Sequence, residues 1–188
     1  MRKVIYSMSV SLDGFIADAR GEIDWSAPSD ELHRFHNERV KEIGAQFLGR
    51  RLYETMLYWE TADQNPEAGE TELEFARIWQ ALPRIVFSTT LDHVEGNARL
   101  ARDGVEVEVA RLKAEPGKDL AVGGAGLAAS FARLGLIDQY ELFVIPVVLG
   151  GGTPYFPPLD DRIELELVET RTFGERVQFL RYRRAVPA

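Results

Sequence analysis

The segment Asp119-Leu120-Ala121-Val122 passes straight into Gly123-Gly124-Ala125-Gly126 and then into an apolar-periodic stretch from about Leu127 to Leu134. A short apolar run that turns through glycines directly into a helix is the local form of a strand–helix unit. It commits the chain to strands alternating with helices. Gly135 follows the last periodic residue, where a left-handed residue ends a helix. The opening keeps to the same plan. Tyr6, Met8, Val10 and Leu12 alternate with Ser7, Ser9 and Ser11, the period of a strand, and Asp13-Gly14 breaks it. The serine face is narrow, so a helix or a ligand must come close to the sheet there.

Pro28-Ser29-Asp30-Glu31 has the form of a helix start, a serine cap followed by acids in the first turn. Leu32, Phe35, Val40 and Ile43 mark the buried stripe of that helix, and Gly44 is expected to end it. Gln46-Phe47-Leu48 reads as a short buried strand leading into Gly49-Arg50-Arg51, after which Leu52, Met56 and Trp59 give a second helical stripe. A polar loop from Thr61 to Gly69 precedes a third helix, marked by Leu73, Ala76, Trp79 and Leu82 and stopped by Pro83. Arg84 to Ser88 reads as a buried strand and Val105 to Val109 as a half-exposed one. Tyr140 to Pro146 is a further strand, and Gly150-Gly151-Gly152 follows it. Ile163 to Val168 and Val177 to Tyr182 are expected to pair antiparallel around a turn at Gly174. The fold expected is α/β in one domain over residues 1–188, with a mixed central sheet that is antiparallel at its C-terminal end.

Composition narrows the function classes. With 45% apolar and 28% charged residues the chain has the usual make-up of a soluble globular protein. No apolar run approaches the ~20 residues of a membrane-spanning helix, and Met1-Arg2-Lys3 does not open a signal peptide. A formal charge of −8 repels nucleic acid. The absence of cysteine removes disulfides, thiolate nucleophiles and Cys-ligated metals. A cytoplasmic location fits these features.

The glycines of 123–126 suit a phosphate. A helix N-terminus offers unpaired N–H groups and the positive end of the helix dipole, and glycines let a pyrophosphate come close to the backbone. Gly124, Gly126 and Ala129 satisfy G-x-G-x-x-A, although a Rossmann domain normally carries that pattern in its first βαβ unit. The alternative is a glycine-eased junction with no ligand. Gly49-Arg50-Arg51 also follows a strand and opens a helix, where cations oppose the dipole unless an anion joins them. Solvated surface arginines are the other reading. A second anion-suited site strengthens the first, because NADPH brings both a pyrophosphate and an adenosine 2′-phosphate. Asp30, behind Trp25 and Pro28, is the candidate acid. A helix start lowers its pKa, burial raises it, and a first-turn acid with no catalytic duty reads the same way. His33 and His36 lack a third metal ligand, so no metal is expected. Ser88 has no nucleophile context, and Arg181, Arg183 and Arg184 read as a solvated strand edge.

Taken in order, these segments resemble a family. Ser9-Val10-Ser11-Leu12-Asp13-Gly14-Phe15-Ile16-Ala17 is similar to the opening of the reductase domain of the riboflavin-biosynthesis deaminase-reductases and their stand-alone relatives. Phe47-Leu48-Gly49-Arg50-Arg51-Leu52-Tyr53-Glu54-Thr55 resembles the cofactor motif of dihydrofolate reductases, and Val86-Phe87-Ser88-Thr89-Thr90-Leu91 the strand that meets the adenosine part. Val122-Gly123-Gly124-Ala125-Gly126 resembles the pyrophosphate turn. Leu136 to Tyr140 and Pro146 to Gly150 resemble the last signature of the family.

The resemblance implies a three-layer α/β/α fold of dihydrofolate reductase type and NADPH as cofactor. It further implies hydride transfer to a C=N or C=O carbon of a heterocyclic or ribosyl substrate, and a homodimer. It assigns the cofactor to Gly49, Arg50, Arg51, Ser88, Thr89, Gly123, Gly124, Ala125 and Gly126, and the acid to Asp30. The chain departs from the pattern at Leu52, where dihydrofolate reductases offer a threonine hydroxyl, and at Thr89, where many stand-alone relatives have a basic residue. No deaminase segment or zinc motif is present in these residues. A true dihydrofolate reductase and a nucleotide-binding module without turnover remain the alternatives.

Overall fold

Strand β1 (Val4–Ser11) forms where apolar residues alternate with serine. A computed structural model, describing residues 1–159, 161–174 and 176–185, places it near the middle of an eight-stranded sheet. After β2 (Phe15–Ala17) the chain enters α1 (Asp30–Lys41), capped by the Ser29 hydroxyl, which accepts from the Leu32 N–H. Then come β3 (Ile43–Gly49), the short α2 (Arg50–Met56), α3 (Glu70–Ala81), β4 (Arg84–Phe87) and β5 (Ala98–Leu100). Helix α4 (Val105–Ala114), β6 (Asp119–Gly123), α5 (Ala125–Arg133) and β7 (Gln139–Ile145) follow. The last elements are β8 (Thr153–Pro154), β9 (Leu165–Phe173) and β10 (Val177–Arg184). The large sheet runs β5-β4-β3-β6-β1-β7-β10-β9, parallel throughout except that β10 is antiparallel to both of its neighbours. This is the mixed sheet expected, with its antiparallel part at the C-terminal end.

The period-2 rule of strands puts successive residues on opposite faces and so builds two cores. Val4, Tyr6 and Val10 of β1 and Phe47 of β3 pack with Phe131 of α5 and Val109 of α4 on one face. Leu48 of β3 packs with Tyr53, Phe75 and Trp79 on the other, where Leu32 and Phe35 of α1 meet Phe143 and Phe179. Helices thus cover both faces. Asp13 closes the end of the sheet: its carboxylate accepts from the N–H groups of Leu149 (3.1 Å) and Gly150 (2.7 Å) and from the Ser11 hydroxyl. The Ser-Leu-Asp-Gly and Leu-Gly-Gly-Gly segments are therefore two halves of one clamp. Gly152 has no room for a side chain there, since a Cβ would stand 2.0 Å from the Ala17 carbonyl oxygen.

Three sequence expectations fail. Val105 to Val109 is not a strand but the start of α4. The alternation of Val105, Val107 and Val109 competes with a helical spacing, Val105, Val109 and Leu112. The helical one wins because Val107 stays 52% exposed while Val109 is buried. Gly44 does not end α1; the helix stops at Glu42, and Gly44 lies inside β3. Arg181, Arg183 and Arg184 are not on a solvated edge, because β10 is paired on both sides. Arg181 is bonded to Glu141 and Glu169, Arg183 to Glu166, and Arg184 to the Gly135 carbonyl.

Candidate active site

The β3–α2 and β6–α5 junctions lie side by side, since Leu48 and Gly123 are register partners in adjacent strands. Gly124 holds φ +93° as the N-cap of α5, and an atom in its Cβ position would stand 3.8 Å from the Gly49 nitrogen. The Ala128 N–H is bonded to the Gly124 carbonyl. That leaves Ala125, Gly126 and Leu127 as the first-turn donors of a helix N-terminus. A Cβ on Gly123 would fall 2.6 Å from Leu52 Cδ2, whereas one on Gly126 would meet nothing within 4 Å. Gly123 is thus a packing residue, and Gly126 borders open space. Such a cradle fits a pyrophosphate at a helix start.

Beyond Gly49 a pocket of about 550 Å³ is lined by Arg50, Phe87, Ser88, Thr89, Thr90, Ala101 and Asp103. Arg50 donates to the Thr90 hydroxyl at 3.3 Å. The Ser88 hydroxyl accepts from the N–H groups of Thr90 and Leu91 and so shapes the turn. The structure brings Arg50, Ser88 and Thr89 together in one pocket, while Arg51 is exposed and does not line it. The Asp103 carboxylate, unfavourable to a phosphate, is bonded to Arg111 at 2.5 Å.

On the sheet face beneath α1 lies a separate cavity of about 340 Å³. Ile5, Ser7 and Ser9 of β1 contribute to its floor with Gln46, Ala121 and Val122, and Leu52, Met56, Trp59, Phe75 and Trp79 form apolar walls. The serine face of β1 thus meets both a helix and a cavity. His33, His36 and Arg39 of α1 face it together with Glu141 and Phe143 of β7. Burial pushes the His36 imidazole down to about 4 and lowers that of His33 as well. Both are therefore neutral near pH 7. No cluster of metal-ligating side chains occurs among the described residues.

Asp30 is not in this wall. Its side chain is 70% exposed, paired with Arg34 and bonded to the Thr71 hydroxyl at 3.3 Å. At the first position of α1 it points along the helix flank, while residues 33, 36 and 40, one face at helical spacing, look into the cavity. The sequence carried signals for these others: the 33/36 histidine pair, the serine alternation, and Glu141 as a carboxylate in an otherwise apolar strand.

No helix among the described residues is long and apolar enough to cross a membrane. Comparison with solved structures fits the architecture. A putative riboflavin biosynthesis protein from Shewanella sp. PV-4 superposes with a TM-score of 0.76 at 22% identity, covering 99% of this chain and all of that one. The Thermotoga maritima diaminohydroxyphosphoribosylaminopyrimidine deaminase/5-amino-6-(5-phosphoribosylamino)uracil reductase gives a TM-score of 0.64 at 18% identity, over 98% of this chain and 57% of that one. Enterococcus faecalis dihydrofolate reductase, solved with NADP(H), gives 0.62 at 19% identity over 97% and 96%. These likenesses establish a dihydrofolate reductase-like fold. In sequence, the uncharacterized protein YyaP of Bacillus subtilis (strain 168) is 34% identical over 177 residues, 94% of this chain and 92% of that protein. The model of the RibD C-terminal domain matches residues 2–179, and with nearly the whole length accounted for, the chain belongs to that family.

Proposed function

We propose that the chain is a reductase that uses NADPH to reduce a C=N or C=O bond of a heterocyclic substrate. One observation carries this reading: the cavity and the glycine cradle share a wall. Leu52 lines the cavity and packs against Gly123, and Ala121 and Val122 run along the cavity floor to that same glycine. Gly124 to Gly126 would hold the phosphates of a dinucleotide, and the adjoining cavity would take its reactive ring. Membership of the RibD C-terminal domain family supports the same reading.

Within it, Arg50, Ser88 and Thr89 receive the 2′-phosphate, and the N–H groups of Ala125 and Gly126 receive the pyrophosphate. When bound, NADPH would supply the hydride taken up by the substrate carbon, and the substrate nitrogen or oxygen would take up a proton. The chain's part is to position, to keep water out and to relay that proton. Trp59, Phe75 and Trp79 exclude water. The hydroxyls of Ser7 and Ser9 and the imidazoles of His33 and His36 are among the exchangeable groups that line the substrate space.

The test is thermal. NADPH at ~100 times its dissociation constant adds about 2.7 kcal/mol of stability, and the shift in Tm is expected to exceed that from NADH at equal concentration. Equal shifts would remove Arg50 from its role, and no shift with either would overturn the reading. NADPH consumption across a panel of heterocyclic imines and carbonyls then separates a reductase from a module that binds without turnover.

A further inference from the structure

The pocket beyond Gly49 carries one charge of each sign among its described lining residues, the Arg50 guanidinium and the Asp103 carboxylate. Arg50 is loosely engaged. Among the described residues its side chain meets the Thr90 hydroxyl at 3.3 Å and Glu54 at 4.0 Å, and nearly half of it is exposed. A guanidinium held this weakly is free to turn to a ligand anion.

Asp103 is the opposite case. Its Oδ2 is held by Arg111 Nη2 at 2.5 Å, and Arg111 is anchored in turn on the buried Glu108 at 3.0 Å. Glu108 also takes Arg99, so two guanidiniums share one buried carboxylate and Asp103 supplies the second negative charge. The Asp103 carboxylate is thus fixed at the pocket by a partner that is itself fixed. Its Oδ1 accepts from none of the described residues, and the side chain is 44% exposed.

The two charges make opposite demands on one ligand. A 2′-phosphate is drawn to Arg50 and repelled by Asp103, whereas a ribose 2′-hydroxyl donates to a carboxylate and gains no charge attraction from a guanidinium. The formal charge of −8 on the chain adds to the disadvantage of the more anionic cofactor. A pocket built only for a 2′-phosphate would not fix a carboxylate in its wall, and one built only for a 2′-hydroxyl has no need of Arg50.

We propose that Asp103 is the specificity-determining residue of this pocket. Its Oδ1 accepts from the ribose hydroxyl of NADH, and its charge holds the preference for NADPH down, so that the pocket takes both cofactors. This rests on the pocket being the adenosine end of the cofactor site of the proposed reductase.

The experiment measures dissociation constants for NADPH and NADH by the polarisation of nicotinamide fluorescence, without substrate and without turnover, on wild type, Asp103→Asn and Arg50→Gln. Wild type is expected to bind both, NADPH the tighter by less than roughly 10-fold, the reach of one partly exposed ion pair. In Asp103→Asn the ratio of NADPH to NADH affinity should rise roughly 10-fold, since the variant loses a repulsion and a charged hydrogen-bond acceptor together. The gain in NADPH affinity should shrink at high salt, as the effect of an exposed charge does. In Arg50→Gln the ratio should fall by a similar factor. An unchanged or lower ratio in Asp103→Asn overturns the proposal, as does a wild type that binds NADPH alone. If Asp103→Asn does not fold, the wild-type pair of constants decides. Wild type that binds both cofactors with a ratio indifferent to Asp103→Asn loses only this inference, whereas wild type that binds neither loses the reductase reading on which it rests.

Discussion

A Cβ at Gly126 meets nothing within 4 Å, whereas one at Gly123 meets Leu52, and Gly124 adopts φ +93°. Backbone conformation requires glycine at 124 and a Cβ at 123 would press on the Leu52 side chain, but at 126 the protein itself does not require glycine. Gly126→Val is therefore the informative variant. It is expected to fold with stability unchanged to within a few tenths of a kcal/mol, since valine is no poorer a helix former than glycine, and to lose the Tm shift given by NADPH. A full NADPH shift in the folded variant would show that no phosphate approaches this backbone. Asp30 gives the opposite test. Its exposed carboxylate sits in the first turn of α1, bonded to Arg34 and Thr71 rather than turned to the cavity. Asp30→Asn is expected to cost about 0.3–1 kcal/mol through the helix dipole, with turnover unchanged. A fall in rate of ~10² or more, the scale of a lost general acid, would return the acid role to Asp30.

At the scale of elements, α4 is tied to β5 by a carboxylate that no water reaches. Glu108 is fully buried and accepts from Arg99 at 3.0 and 2.6 Å, from Arg111 at 3.0 Å and from the Arg102 N–H at 3.1 Å. These donors hold its carboxyl down at about 2. Because the folded value lies below the unfolded one, the contribution is whole above about pH 4.5 and is lost as pH falls toward 2. Glu108→Gln is expected to lower stability by about 1.5–3 kcal/mol at pH 7, the range for hydrogen bonds to charged groups. The lower half of that range is favoured because Arg99 and Arg111 keep contact with water. Urea melts at pH 7 and pH 3 check both parts: the difference between wild type and variant should shrink at the lower pH, and an unchanged difference would place the acid sensitivity elsewhere.

For the whole molecule, the sheet ends on β9, and that edge is not blunted evenly. The register slips between Arg181 and Tyr182 of β10, and the bulge leaves neighbouring residues Leu167 and Val168 exposed at 56% and 51%. An apolar strand edge of this kind invites pairing, and two-fold symmetry is the commonest way to cover one. A homodimer through β9 is the expected state, read by light scattering at micromolar concentration. Leu167→Lys should then shift the population toward monomer. A wild-type monomer under those conditions, or a dimer indifferent to Leu167→Lys, counts against β9 as the interface.

Local chemistry wrote much of this into the chain. The serine cap at Ser29, the stop at Pro83, the left-handed Gly135 and the hairpin turn at Gly174 each act over a few residues, so the sequence alone places them. The glycine-lined junction from β6 into α5 was legible for the same reason, since a strand, its glycines and the next helix are contiguous. What the tertiary structure decided are the choices that depend on distant partners. Val105 to Val109 satisfies two periods, and the core beneath it selects the helix. The arginines of β10 look like an edge until β9 covers them and Glu141 and Glu166 neutralise them. Asp30 and His36 lie within two turns of one helix, and only the direction from which the sheet approaches α1 decides which of them faces the cavity. Glu141 becomes a buried, neutralised carboxylate because residues 39, 139 and 181, remote in sequence, converge on one of its oxygens.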